Sequence, residues 1–225
     1  VGLYMYNATG TMMFSVDGFK ITVHGKGAHG AYPHASIDPI NVAAHIYIAL
    51  EALIAREVDP AKANLLTVGK FNAGTAPNII PDTATLEGTI RSNDKASREL
   101  LVRRMQEIAA KTAESFGATA TVEMPSGVPP LVCDPKLTNE FVGYMKAMNI
   151  PGAMPYPNVS ASASEDFASI AEKVPATFMY LSAGFTDGRA TAPAHNPKVI
   201  FNEDVCPIGA SCYAHCATEW LKNNK

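Results

Sequence analysis

The strongest constraint on this chain is a change of hydrophobic period that recurs along its first half. In residues 17–24, Phe19, Ile21 and Val23 alternate with Lys20, Thr22 and His24, the period-two pattern of a half-buried strand. Asp38 then offers a helix N-cap with Pro39 in the first helical position. The helix predicted over residues 39–57 carries two apolar groups, Ile40, Ala44, Ile48 and Tyr47, Leu50, Ile54. A helix apolar on two faces needs cover on two sides, one from its own sheet and the other from a second subunit. Residues 64–71 and 83–92 read as strands, with Ala84, Leu86, Gly88 and Ile90 facing one way and Thr85, Glu87, Thr89 and Arg91 the other. Asp94 caps a helix running to about Phe116, with Leu101, Met105 and Ile108 on one stripe and Gly117 as its stop. Residues 118–124 alternate again as a strand.

The order β-α-β-β-α-β is the split βαβ, or ferredoxin-like, arrangement. It puts two helices on one sheet face and leaves Thr22, His24 and Arg91 on the open one. Beyond the proline-rich residues 125–130 the pattern changes. A helix over 136–148, a proline-containing loop, a short helix from Ser164, a buried strand over 176–183 and a polar loop over 184–194 precede a last helix capped by Asn202 or Asp204. One convincing strand cannot close a core, so this part reads as the remainder of an α/β layer whose other strands lie elsewhere. The expected class is therefore α/β with an α+β lid. Its expected divisions are residues 1–16, 17–125 and 126–225.

Composition excludes several functions. The net charge is −3 and the basic residues are scattered, so no stripe exists to exchange counterions with nucleic-acid phosphates. No apolar run approaches the roughly 20 residues that cross a bilayer. The opening residues lack the basic start and long apolar stretch of a signal peptide. Cys133, Cys206, Cys212 and Cys216 lack metal-finger spacing and are expected to be reduced, as in a cytoplasmic protein. Val1 opens within what reads as ordinary folded sequence, and a fragment is expected.

Residues 25–30, Gly-Lys-Gly-Ala-His-Gly, match G-x-G-x-x-G after a strand. A dinucleotide site needs that turn to open directly into a helix. Here Pro33 and His34 intervene and the helix waits for Asp38, so no such site is expected. His29 is nevertheless flanked by small residues that admit other groups. His195 lies in Ala192-Pro193-Ala194-His195-Asn196-Pro197, between the predicted strand and the last helix, where α/β proteins place their sites. An imidazole there can ligate a metal, although one histidine does not make a metal site. Asn78 reads as a turn residue, Arg91 as a guanidinium able to grip a carboxylate, and Ser164 as a cap with Glu165 and Asp166 facing the helix dipole. Ser211 and Cys212 read as buried in a helix, which argues against nucleophilic catalysis.

Residues 25–34, the run Pro77-Asn78-Ile79-Ile80-Pro81-Asp82, Glu87-Gly88-Thr89-Ile90-Arg91, Ser164-Glu165-Asp166-Phe167 and His195-Asn196-Pro197 leading to Asn202-Glu203-Asp204 together resemble the metal-dependent amidohydrolases. That family includes hippurate hydrolase, N-acyl-amino-acid deacylases and auxin-conjugate hydrolases. The resemblance covers nearly the whole chain, with Ala163 standing where glycine is expected. It implies a ferredoxin-like lid that mediates homodimerisation, joined to part of a zinc-peptidase-like catalytic domain binding two divalent ions, zinc or manganese. It further implies that His195 ligates one metal, that His29 stabilises the developing oxyanion in the partner subunit's site, and that Asn78 and Arg91 hold an N-acyl amino acid. The remaining metal ligands and the catalytic glutamate are absent from this chain, which is therefore expected to be inactive alone and to bind no metal by itself. The competing reading is a non-catalytic dimeric module that binds a small molecule or partner. His195 separates the two, since a binding module has no need of it.

Overall fold

A computed structural model describes residues 2–189 and 191–224. They form two compact units: Met13–Leu131 with Ser162–Ala168, and Val1–Met12 with Val132–Ala161 and Ser169–Lys225.

The first unit has the ferredoxin-like order. Its principal elements are β1 (Val16–His24), α1 (Pro39–Arg56), β2 (Asn64–Ala73), β3 (Thr83–Ser92), α2 (Lys95–Ser115) and β4 (Thr119–Val128). The sheet is antiparallel throughout, in the spatial order β2-β3-β1-β4. Alternation works as the sequence dictates: Phe19, Ile21 and Val23 of β1 and Leu86 and Ile90 of β3 are buried under the helices. From α1 the core receives Val42, Ile46, Leu50 and Leu53, and from α2 Leu101, Met105 and Ala109. Complete burial of each large aliphatic side chain contributes about 2 kcal/mol. Ile108, expected on the same stripe, is only half-buried, because the stripe continues through Ala109 and Ala113 instead.

Both helices start as expected. Asp38 accepts from the Ile40 and Asn41 amides, and Asp94 from the Ser97 amide, satisfying N–H groups that have no partner within the helix. Gly117 adopts φ 75° just beyond the end of α2. The strand predicted to stop at Met124 instead runs through Pro125 to Val128. A bulge between Gly18 and Lys20 makes this possible. There Phe19 opposes both Met124 and Pro125, so the proline falls where the ladder skips, on an edge strand.

The second unit holds a three-stranded sheet. Leu3–Met5 lies at its centre, parallel to Met154–Tyr156 and antiparallel to Tyr180–Leu181. Neither of the first two strands was legible in the alternation. The buried strand expected over 176–183 contracts to Tyr180–Leu181, half-buried, because its partner Leu3–Met5 offers only three residues to pair with. Helices α3 (Pro135–Ala147, capped by Asp134) and α4 (Cys206–Asn223) pack against each other. Asn202, not Asp204, is the capping side chain, and it caps a 3-10 turn, Glu203–Val205, that leads into α4. Ser211 on α4 is exposed, contrary to expectation, whereas Cys212 and Cys216 are buried.

Candidate active site

The glycine-rich turn is built by close approach of chain segments. After β1, Gly25 and Lys26 run against Ile37, with the Lys26 and Ile37 amides and carbonyls exchanging two hydrogen bonds of 2.8 and 3.0 Å. A Cβ on Gly25 would lie 2.2 Å from the Ile37 carbonyl oxygen, and one on Gly30 would lie 3.0 Å from that of Asn78. The spacing that imitates a dinucleotide fingerprint therefore serves backbone packing. Asp82 fastens the same turn, its carbonyl accepting from the Gly25 amide and its carboxylate from the Gly27 amide, each at 2.8 Å. Asp82 was not singled out for this role. The only signal for it was its place directly after the rigid Pro81.

This packing brings two of the candidate residues together. Ala28–His29 pairs with Ile79–Ile80 as a two-residue antiparallel ribbon, and the Gly30 amide donates to the Asn78 carbonyl at 2.8 Å. His29 and Asn78 thus stand side by side, both exposed. The imidazole is oriented: its Nδ1 accepts the Ala31 amide proton at 3.1 Å. A nitrogen that accepts cannot carry the proton of the neutral ring, so the proton sits on Nε2 and points outward as a donor. The Tyr32 ring, 5.8 Å from that of His29, flanks it. An open cleft of about 480 Å³ adjoins this pair, bordered by Gly30, Ile40, Pro77 and Ile79. Its one carboxylate, Asp38, is already engaged as the cap of α1.

Arg91 lies elsewhere on the same unit. It shares the open sheet face with Thr22 and His24, as the alternation requires. One Nη1–H donates to the Ser162 carbonyl at 3.2 Å, and the Phe14 amide donates to the Ala163 carbonyl at 2.9 Å. The helix expected from Ser164 begins only at Ala168. Glu165 instead accepts from the Phe167 amide at 3.4 Å, so the capping role expected of Ser164 is not realised.

His195 belongs to the second unit and is exposed at the top of a turn, with φ at 67°. The turn is closed by the Asn196 amide donating to Pro193, while the Asn196 side chain accepts from the Lys198 amide. Left-handed backbone is uncommon outside glycine, and such conformations concentrate at functional sites. Among the described residues no three His, Cys, Asp or Glu side chains gather to hold a metal. An imidazole is a suitable donor for zinc or manganese, but His195 alone does not make the donor set.

The first unit, with its ferredoxin-like order, has the fold of a peptidase dimerisation or lid domain. Residues 11–116 match the peptidase dimerisation domain. An N-acetyl-L-cysteine deacetylase of Bacillus subtilis is 37% identical over 195 residues, covering 87% of this chain and 45% of the relative. The IAA-amino acid hydrolase ILR1-like 2 of Arabidopsis thaliana is 33% identical, covering 95% and 48% respectively. A dinuclear metal-binding peptidase from Bacillus subtilis superposes with a TM-score of 0.78 at 25% identity, over 99% of this chain and 54% of that one. The chain belongs to the M20 family of metal-dependent amidohydrolases and peptidases. It spans about half the length of the curated relatives it matches.

Proposed function

We propose that this chain supplies the lid and part of the catalytic domain of a homodimeric amidohydrolase that cleaves the amide bond of N-acyl amino acids. The observation that carries the reading is the fixed His29 tautomer, an outward Nε2–H donor held beside Asn78. A donor fixed before reaction stabilises charge as it develops on the amide oxygen, at little reorganisation cost. Asn78 adds an amide N–H to the same place. The remaining N–H donors of Arg91 suit a substrate carboxylate, gripped while one donor holds Ser162. The cleft beside His29, uncharged but for the engaged Asp38, suits an apolar acyl group. The substrates named for the two relatives, N-acetyl-L-cysteine and IAA-amino acids, are both acylated amino acids. Two divalent ions, zinc or manganese, would supply the activated water and Lewis-acid polarisation. His195 would ligate one of them, with the other ligands coming from outside this chain.

The test is His29→Ala in the complete protein, assayed on an N-acetyl amino acid. Alanine removes the Nε2–H donor, and kcat is expected to fall on the order of a hundred-fold with a small change in KM. An unchanged kcat would overturn the assignment.

A further inference from the structure

The sheet of the first unit ends at a change of register that lies directly before His29. The last pair between β1 and β3 is His24 opposite Thr83, and the ribbon that carries the histidine resumes with Ala28 opposite Ile80. Between those pairs three residues, 25–27, stand against two, Pro81 and Asp82. One extra residue in a ladder is a bulge, and a slip of one residue turns a side chain to the opposite face. Pro81 has no N–H with which to pair across the gap. Asp82 spans it instead: its carbonyl accepts from the Gly25 amide and its carboxylate Oδ1 from the Gly27 amide, both at 2.8 Å. Glycine at 27 lets the carboxylate in, since a Cβ there would stand 3.0 Å from Oδ1 and 2.8 Å from the Ile80 carbonyl oxygen. Asp82 is exposed and lies outside the core, so its carboxylate is not needed for packing.

We propose that Asp82 is a positioning residue for the hydrolysis: its carboxylate fixes the register of the ribbon and, through it, the direction of the His29 Nε2–H donor. This rests on the reading of His29 as the group that stabilises the amide oxygen. The chain of contacts is continuous. Gly27, held by Asp82, leads into Ala28 and His29 paired with Ile80 and Ile79. The Gly30 amide then donates to the Asn78 carbonyl at 2.8 Å, and the Ala31 amide to His29 Nδ1 at 3.1 Å. A ribbon of two residue pairs is too short for alternation to select its register, so the register comes from its attachments. The carbonyl bond to Gly25 survives any substitution at 82. The bond to Gly27 is what the side chain alone supplies.

The experiment compares Asp82→Ala, Asp82→Asn, His29→Ala and Asp82→Ala combined with His29→Ala in the complete protein. Each is assayed on an N-acetyl amino acid, and its histidine ring nitrogens are followed by NMR. Asp82→Ala should lower kcat about tenfold with little change in KM, because a misdirected donor is weakened rather than removed. Asp82→Asn keeps an accepting oxygen and should lose several-fold less. In the His29→Ala background, Asp82→Ala should cost no more than about twofold, since the donor it positions is gone. The His29 signals, identified by their absence from His29→Ala, should show an accepting Nδ1 and a protonated Nε2 in the unmodified protein. In Asp82→Ala they should move toward a mixture of tautomers. The proposal is overturned by an unchanged kcat in Asp82→Ala, by equal losses in the two backgrounds, by Asn proving no better than Ala, or by His29 signals that ignore Asp82→Ala. Were His29→Ala to keep full kcat, the reading of His29 would fall instead, and the spectra alone would decide the hold of Asp82 on the ring.

Discussion

His195 combines an exposed side chain with φ at 67°, and that pairing has a measurable consequence. A left-handed backbone costs an L-residue roughly 1–2 kcal/mol, and a β-branched side chain tolerates it worst. His195→Val is therefore expected to be less stable than His195→Gly by about 1 kcal/mol in urea denaturation of this chain. Equal stabilities would mean the turn relaxes and carries no strain. His29 teaches the complementary lesson. Sequence placed it in a turn of small residues, but not the reason for them. Gly25 must be glycine because the Ile37 carbonyl occupies the place of a Cβ, and Ile37 is twelve residues further along the chain. No local pattern encodes such an approach.

At the scale of elements, β1 and α2 are joined by a charged clamp. Arg98 donates to both carboxylate oxygens of Asp17, Nε at 2.7 Å and Nη2 at 2.8 Å, and the Asp17 side chain is 6% exposed. Arg98→Met would leave that carboxylate buried without its guanidinium, and a loss of about 3 kcal/mol is expected in chemical denaturation. Asp94 governs the start of α2 in a pH-dependent way. Burial works to raise its carboxyl, but hydrogen bonds from Ser97 and Lys62 outweigh this and hold it below the usual range. A carboxyl depressed on folding adds stability above its unfolded value, about 3.9, and loses it as pH falls through the folded one. Asp94→Asn keeps the capping oxygen and removes the charge. Between about pH 5 and about pH 3 its urea midpoint should therefore fall less than that of the unmodified chain. Parallel curves would assign the acid sensitivity to other groups. These caps were legible because N-cap chemistry is local. The bulge opposite Pro125 was not, since it depends on which strand lies alongside.

For the whole molecule the open question is association. Outward on α1, Ile48 is 64% exposed, with Ile40 and Tyr47 also uncovered, while Val42, Ile46, Leu50 and Leu53 of the same helix fill the core. The edge strand β2 adds exposed Leu65 and Phe71. The unit that matches a dimerisation domain thus presents apolar surface on a helix and an unpaired strand edge, the features that a partner copy would cover. Ile48→Glu places a charge in that surface without touching the core. Sedimentation velocity is expected to shift the chain from dimer to monomer with its circular dichroism unchanged. A monomeric unmodified chain, or an unaffected dimer, would locate any interface elsewhere.

By itself the sequence determined the lid. Its strands, helices, caps and inward faces follow from period and capping, which act within a few residues and are therefore written locally. It singled out His29 and His195 as candidates, and it read α1 as apolar on two faces, but it grouped the exposed Tyr47 with Leu50, which is buried in the core. Tertiary structure alone decided the rest. Leu3–Met5 is a strand only because Met154–Tyr156 and Tyr180–Leu181 flank it, and it is too short to show a period. Asn78 stands beside His29 because a ribbon pairs segments some fifty residues apart, and Arg91 holds Ser162 across a longer interval. Hydrogen bonds between distant segments carry no periodic trace in either one.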